Sequence, residues 1–114
     1  MTKTITTKAE FIDNAWSTMF YAITYWVERA GDNGDGGLIL QTIEGEGIEL
    51  TKDKLAEGMT KWAEDNKGNT DLYQPYRVVR NGILGEDWEV AINADAVIVD
   101  LAVQYGLFGE QVFA

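Results

Sequence analysis

From Ala94 to Phe108 the chain is apolar on nearly every side, and this run constrains the fold more than any other feature. Val97, Ile98, Leu101, Tyr105 and Phe108 recur at helical spacing on one side, and Val99 and Val103 fill the other. A helix with no polar face is stable in water only when covered all round. It therefore has to be buried between layers or held in an oligomer interface. Asn93 is the expected N-cap, Asp95 falls in the first turn, where the helix dipole favours an anion, and Gly109 is the expected stop.

Cover from within the chain would come from the preceding residues. Thr7 with Glu10 forms a capping-box pattern. Ile12, Trp16, Met19, Ile23, Trp26 and Ala30 then recur at three- and four-residue steps, widened by Phe20 and Val27. This periodicity predicts one long amphipathic helix ending at Gly31. Its opposite face carries Glu10, Asn14, Ser17 and Glu28, with Tyr21 and Tyr25 among them.

Asp32 to Gly37 is a turn-forming loop. Leu38 to Ile43 and Ile48 to Leu50 read as strands joined by a Glu44-Gly45-Glu46-Gly47 turn. Thr51 caps a second helix, Lys52 to Asn66, with Leu55, Met59, Trp62 and Ala63 as its apolar stripe. Gly58 costs that helix about 1 kcal/mol relative to alanine, which points to close packing at that position. A polar loop leads to Pro75, Tyr76 to Leu84 reads as a short helix, and Gly85 to Ile92 as irregular chain or a short strand. Glu110 to Ala114 reads as an edge strand. The expected fold is α+β over residues 1–114: a single domain of about three helices with a short antiparallel hairpin or small sheet around one layer of core.

Several chemistries are closed to this chain. It has no histidine and no cysteine, and Ser17 is its only serine. A Ser-His-Asp arrangement, a thiolate nucleophile and a zinc site of Cys and His cannot be assembled. No Walker A sequence or complete G-x-G-x-x-G is present. The loop from Asp32 fails as a calcium loop, with Gly34 and Gly36 at its third and fifth positions and Ile43 at its twelfth. Paired acids such as Glu44 with Glu46, or Glu86 with Asp87, have no convergent polar companions. The chain is expected to be non-catalytic, with no cofactor and no metal. It has no apolar leader-like segment and no stretch long enough to span a bilayer, so a cytoplasmic location is expected.

Charge then points to a partner. Nineteen acidic residues oppose nine basic ones, for a net charge of −10. Such a balance disfavours nucleic acid and anionic membranes, whose phosphates reward lysine and arginine. Solubility is the bland explanation of the excess; an acidic face for a basic protein is the sharper one. Asp32, Asp35, Glu44, Glu46, Glu86, Asp87 and Glu89 are the candidate contact acids, with Tyr21 and Tyr25 as candidate aromatic anchors. Aromatic residues more often pack than stay exposed, so a covering element over the tyrosines is the competing reading. Tyr73, Tyr76, Arg77 and Arg80 form a basic–aromatic cluster, the candidate site for a small anionic ligand such as a nucleotide. Its bland alternative is that both arginines pair with nearby acids. The apolar last helix is also the candidate surface for a homo-oligomer.

Asn93-Ala94-Asp95-Ala96-Val97-Ile98-Val99-Asp100, followed by Leu107-Phe108-Gly109-Glu110-Gln111-Val112-Phe113, resembles the end of a family of small acidic proteins of tailed bacteriophages. Those proteins close with an acidic cap, a Val/Leu-rich helix, Leu-Phe-Gly-Glu and a short hydrophobic tail. The early aromatic run Ala22 to Trp26 and a mid-chain helix centred on a glycine, here Gly58, are similar too. The usual run of acids before the last helix is reduced here to Asn93 and Asp95, and Gly106 interrupts the helix end. The resemblance implies a phage origin and an infected bacterial host, and carries over no functional residues. The expectation that follows is a phage inhibitor acting on a host defence protein, such as a CRISPR effector or restriction enzyme. The alternatives are a nucleotide-signal sponge and a structural or oligomeric accessory protein.

Overall fold

The computed structural model describes residues 6–114. In chain order these form α1 (Lys8–Ala22), β1 (Val27–Asp32), β2 (Leu38–Thr42), β3 (Gly47–Leu50), α2 (Lys52–Asp65), α3 (Gln74–Leu84), α4 (Trp88–Ala91) and α5 (Ala96–Phe108). The fold is α+β, with five helices and one three-stranded antiparallel sheet of order β1-β2-β3 among the described residues.

The apolar α5 is the centre of the body. It lies against α2 over most of its length and against α1 on another side. Ile98, Val99, Ala102 and Val103 are fully enclosed with Met19, Leu55, Met59 and Trp62. Burial inside its own chain thus accounts for most of the helix; Val97 is the residue it leaves half exposed. Gly58 permits the approach, because a Cβ there would sit 1.7 Å from the Ala102 carbonyl oxygen. Gly106 does the same from the other side, where a Cβ would lie 2.2 Å from the Lys54 carbonyl oxygen. It lies within α5 as a packing residue and does not interrupt the helix.

The first helix is shorter than its apolar period predicts. It stops at Ala22, and the chain turns through Ile23 to Trp26 into β1, so Gly31 lies in a strand and not at a helix end. Ile23 and Trp26 are buried as expected, but Ala30 is exposed. Thr24, Tyr25, Trp26 and Val27 are β-branched or aromatic, and such residues fit a strand or turn as readily as a helix. The switch brings the Trp26 indole to α5, where it donates to Asp100 Oδ1 at 2.7 Å.

Three further boundaries move. Asp95, not Asn93, caps α5, accepting from Ile98 N at 3.1 Å. Residues 85–92 contain the one-turn helix α4 in place of a strand, capped by Asp87 through Val90 N. Glu110 to Ala114 is not an edge strand. That tail folds back on the body: Gln104 Oε1 accepts from Val112 N and Phe113 N at 2.8 and 2.7 Å, and the Phe113 ring stacks on Trp26. Thr51 as the cap of α2 and Gly109 as the stop of α5, in the left-handed region at φ 78°, stand where expected, while the hairpin turn lies one residue earlier, at 43–46, with Gly47 opening β3.

Candidate protein-interaction surface

The sheet is only thinly covered. In β2, Leu40 and Thr42 are buried and Ile39 and Gln41 are exposed, the alternation of a strand with one dry face. In β1 only Val27 is buried, and Glu28 to Asp32 are exposed on both faces. The register places Ala30 opposite Leu40 and Asp32 opposite Leu38, so both point to the helix side of the sheet without being covered there.

Both loops of the sheet are held by their own polar side chains. Asp32 Oδ1 accepts from Gly34 N at 2.6 Å, and Asn33 Oδ1 accepts from Asp35 N and Gly37 N at 2.8 and 2.9 Å. Oxygens used on their own backbone in this way make turns and not cation cages. At the other end Thr42 Oγ1 accepts from Glu44 N and Glu46 N, both at 3.3 Å. The carboxylates of Asp35, Glu44 and Glu46 therefore project outward from ordered loops.

Charge concentrates here. Residues 27–50 contain Glu28, Asp32, Asp35, Glu44, Glu46 and Glu49 against Arg29 alone, a net of −5, or half the charge of the chain. All six acids are exposed. Glu28 joins this set because β1 replaces the end of the expected helix; the cue for it was the β-prone run Thr24–Val27. Asp32 with Asp35 and Glu44 with Glu46 occupy opposite ends of the sheet. Glu86, Asp87 and Glu89 lie elsewhere, at the α3–α4 corner, where Trp88 stacks on Phe11 at 5.3 Å. From Phe11 to the end of α1 at Ala22 is about 16 Å along the helix, and β1 begins beyond that end. The candidate acids thus form a sheet group and a separate corner group.

Tyr21 and Tyr25 stand at the end of α1, 65% and 47% exposed. They border a groove of about 540 Å³ whose other wall includes Val97 and Leu101. Only Tyr21 is a loose ring. The Tyr25 hydroxyl donates to Asp100 Oδ2 at 2.5 Å, and the same buried carboxylate accepts from Trp26 Nε1 and Gln104 Nε2. Burial and then the Asp100 contact push the Tyr25 phenol up to about 12, so it remains a neutral donor.

The fold gives the members of the basic–aromatic cluster different partners. Arg80 is buried and donates to Asn66 O, Asn69 O and Asn81 Oδ1 at 3.0, 2.8 and 3.0 Å. Its guanidinium fastens the α2–α3 loop by carbonyl and amide oxygens, not by acids. Arg77 donates to Gln74 Oε1 at 2.7 Å. Tyr73 and Tyr76 meet edge to face at 5.2 Å, and the Tyr76 hydroxyl donates to Asp95. Burial first, and then Asp95, raises the Tyr76 phenol pKa. No described helix is long and apolar enough to cross a membrane. Comparison with family models, with curated proteins and with solved structures returns no match for this chain.

Proposed function

We propose that this protein is a non-catalytic binding domain that offers its acidic sheet to a basic surface of another protein. The observation that carries this reading is the concentration of half the net charge, all of it exposed, on the thinly covered sheet. Like charges held on one ordered surface attract a basic partner from a distance, speed encounter and orient docking. With the resemblance to tailed-phage proteins, the reading becomes an inhibitor that occupies the nucleic-acid groove of a host defence protein in the infected bacterium. The nucleotide-sponge alternative is weakened by Arg80, whose guanidinium is already spent on the loop beside it.

Affinity capture from a bacterial lysate tests the proposal, run at low and high salt, with and without duplex DNA. A host nucleic-acid-binding protein retained at low salt, released by high salt and displaced by DNA is the expected result. Neutralising the sheet (Glu28→Gln, Asp32→Asn, Glu44→Gln, Glu46→Gln) should remove it. Retention indifferent both to salt and to these substitutions would overturn the reading.

A further inference from the structure

The free edge of β1 supplies what an acidic face alone lacks, namely a geometry for its partner. β1 pairs with β2 on one side only. The bond from Asn33 N to Gly37 O sets the phase of that ladder. Antiparallel pairs alternate between bonded and non-bonded, so Arg29 and Gly31 exchange bonds with Gln41 and Ile39. The N–H and C=O groups of Ala30 and Asp32 then point away from β2, to the open edge. Among the described residues no backbone group pairs with them.

A pocket lies beside this edge. The last turns of α1 and the first residues of β1 enclose about 190 Å³, lined by Met19, Phe20, Ile23, Val27 and Ala30 among others. Phe20 is half exposed at its rim. The pocket takes one large apolar side chain. A residue paired opposite Ala30 would face the same side of the sheet as Ala30 itself, and so reach this pocket.

Charge decides what the edge accepts. A second copy paired antiparallel about Ala30 would place Glu28 opposite Asp32 twice, and one centred on Arg29 would oppose two arginines. Like charges directly opposite destabilise a strand pair. In both of these registers like charges oppose a second copy, whereas a basic segment meets the edge acids with the opposite sign.

We propose that the partner docks by adding an extended, basic segment to the β1 edge, with an apolar residue in the α1–β1 pocket, a base opposite Asp32 and another toward Glu28, which stands at the bulge of the β1–β2 ladder. This deepens the proposed function and rests on it. Main-chain bonds to Ala30 and Asp32 hold the segment; the pocket and the acids choose its sequence.

The test uses a synthetic peptide, Gly-Lys-Thr-Leu-Thr-Lys-Gly, flanked by further lysines, and the full chain at low salt. Expected are binding, slowed amide exchange at Ala30 and Asp32, and about tenfold weaker binding when alternate peptide amides are N-methylated on the side facing β1. Ala30→Pro should weaken binding similarly. It removes an N–H that the β1–β2 ladder does not use, and proline is tolerated on such an edge. The methylated peptide needs no altered protein, so the test stands even if that variant misfolds. Binding that shifts the sheet acids yet ignores N-methylation and Ala30→Pro would overturn edge pairing and leave the acidic surface in place. No binding at low salt would overturn edge pairing, and the acidic surface would then stand or fall by the salt-dependent capture alone. Protection of Ala30 and Asp32 by self-association without peptide would overturn the basic strand in favour of a second copy.

Discussion

Gly58 of α2 lies against Ala102 of α5 so closely that any side chain would enter the Ala102 carbonyl. The two helices meet backbone to backbone, and the wide apolar side chains interlock around that point. Gly58→Ala should cost about 3 kcal/mol despite alanine's better helix propensity, because carbonyl and backbone have to move apart. Gly106→Ala should behave alike, since its Cβ would meet Lys54 O. Urea unfolding of both variants checks this; two unchanged midpoints would show that α2 and α5 are not in close contact.

Asp100 is a buried carboxylate with three donors on it, from Tyr25, Trp26 and Gln104. Asp100→Ala leaves those donors without an acceptor and should cost about 3 kcal/mol. Asp100→Asn keeps one acceptor oxygen and should cost about 1 kcal/mol. Because Phe113 stacks on Trp26 with ring centroids 4.9 Å apart, loosening this cluster also releases the tail. Trp26 emission should shift in Asp100→Ala and in Phe113→Ala. An unaltered spectrum in both would place the tail elsewhere.

Arg80 holds two backbone carbonyls of the α2–α3 loop through one nitrogen and Asn81 through another. Arg80→Met should cost about 2 kcal/mol and speed amide exchange across residues 66–71. Arg80→Lys should rescue little, because an ammonium has no planar fork to span these oxygens. Full rescue by lysine would mean that charge alone matters there.

Two tyrosines tie part of the stability to alkaline pH. Tyr25 and Tyr105 are pushed from 10.0 up to about 12, the first by burial and Asp100, the second by its 2.7 Å bond to Asp65 and then by burial. Folded values above unfolded ones mean that this stability is fully present below pH 10 and is lost as pH rises through 12. Tyr25→Phe and Tyr105→Phe should each flatten the loss of stability between pH 10 and 12 and remove part of the latest tyrosinate absorbance. A titration completed near pH 10 in the unaltered protein would contradict both contacts.

Much of this architecture is local and was legible as such. Thr51 caps α2 because its hydroxyl reaches Lys54 N, three residues away, and Gly109 ends α5 because glycine adopts its left-handed turn without strain. Gly58 announced a close approach, though not its partner. The end of α1 was not legible. Ile23, Trp26 and Ala30 continue the helical period, and only contacts with Asp100 and Phe113, far along the chain, reward leaving it at Ala22. Glu28 was hidden with it, since a residue assigned to a helix cannot be placed on a sheet edge. Arg80 looked available for a ligand because carbonyl oxygens, its actual partners, have no signature in a sequence.

Sequence by itself determined most of the core, though not that Phe20, Ala30 and Val97 lie outside it, together with the missing histidine and cysteine residues, the acid excess, and the turns and caps whose partners lie within a few residues. Tertiary structure alone decided where the acids gather, which strand edge stays open, and which polar groups are consumed in holding the fold. The reason is physical: caps and turns are satisfied within one turn of chain, whereas a buried carboxylate or an uncovered edge is defined by what residues far away in the chain bring or fail to bring against it.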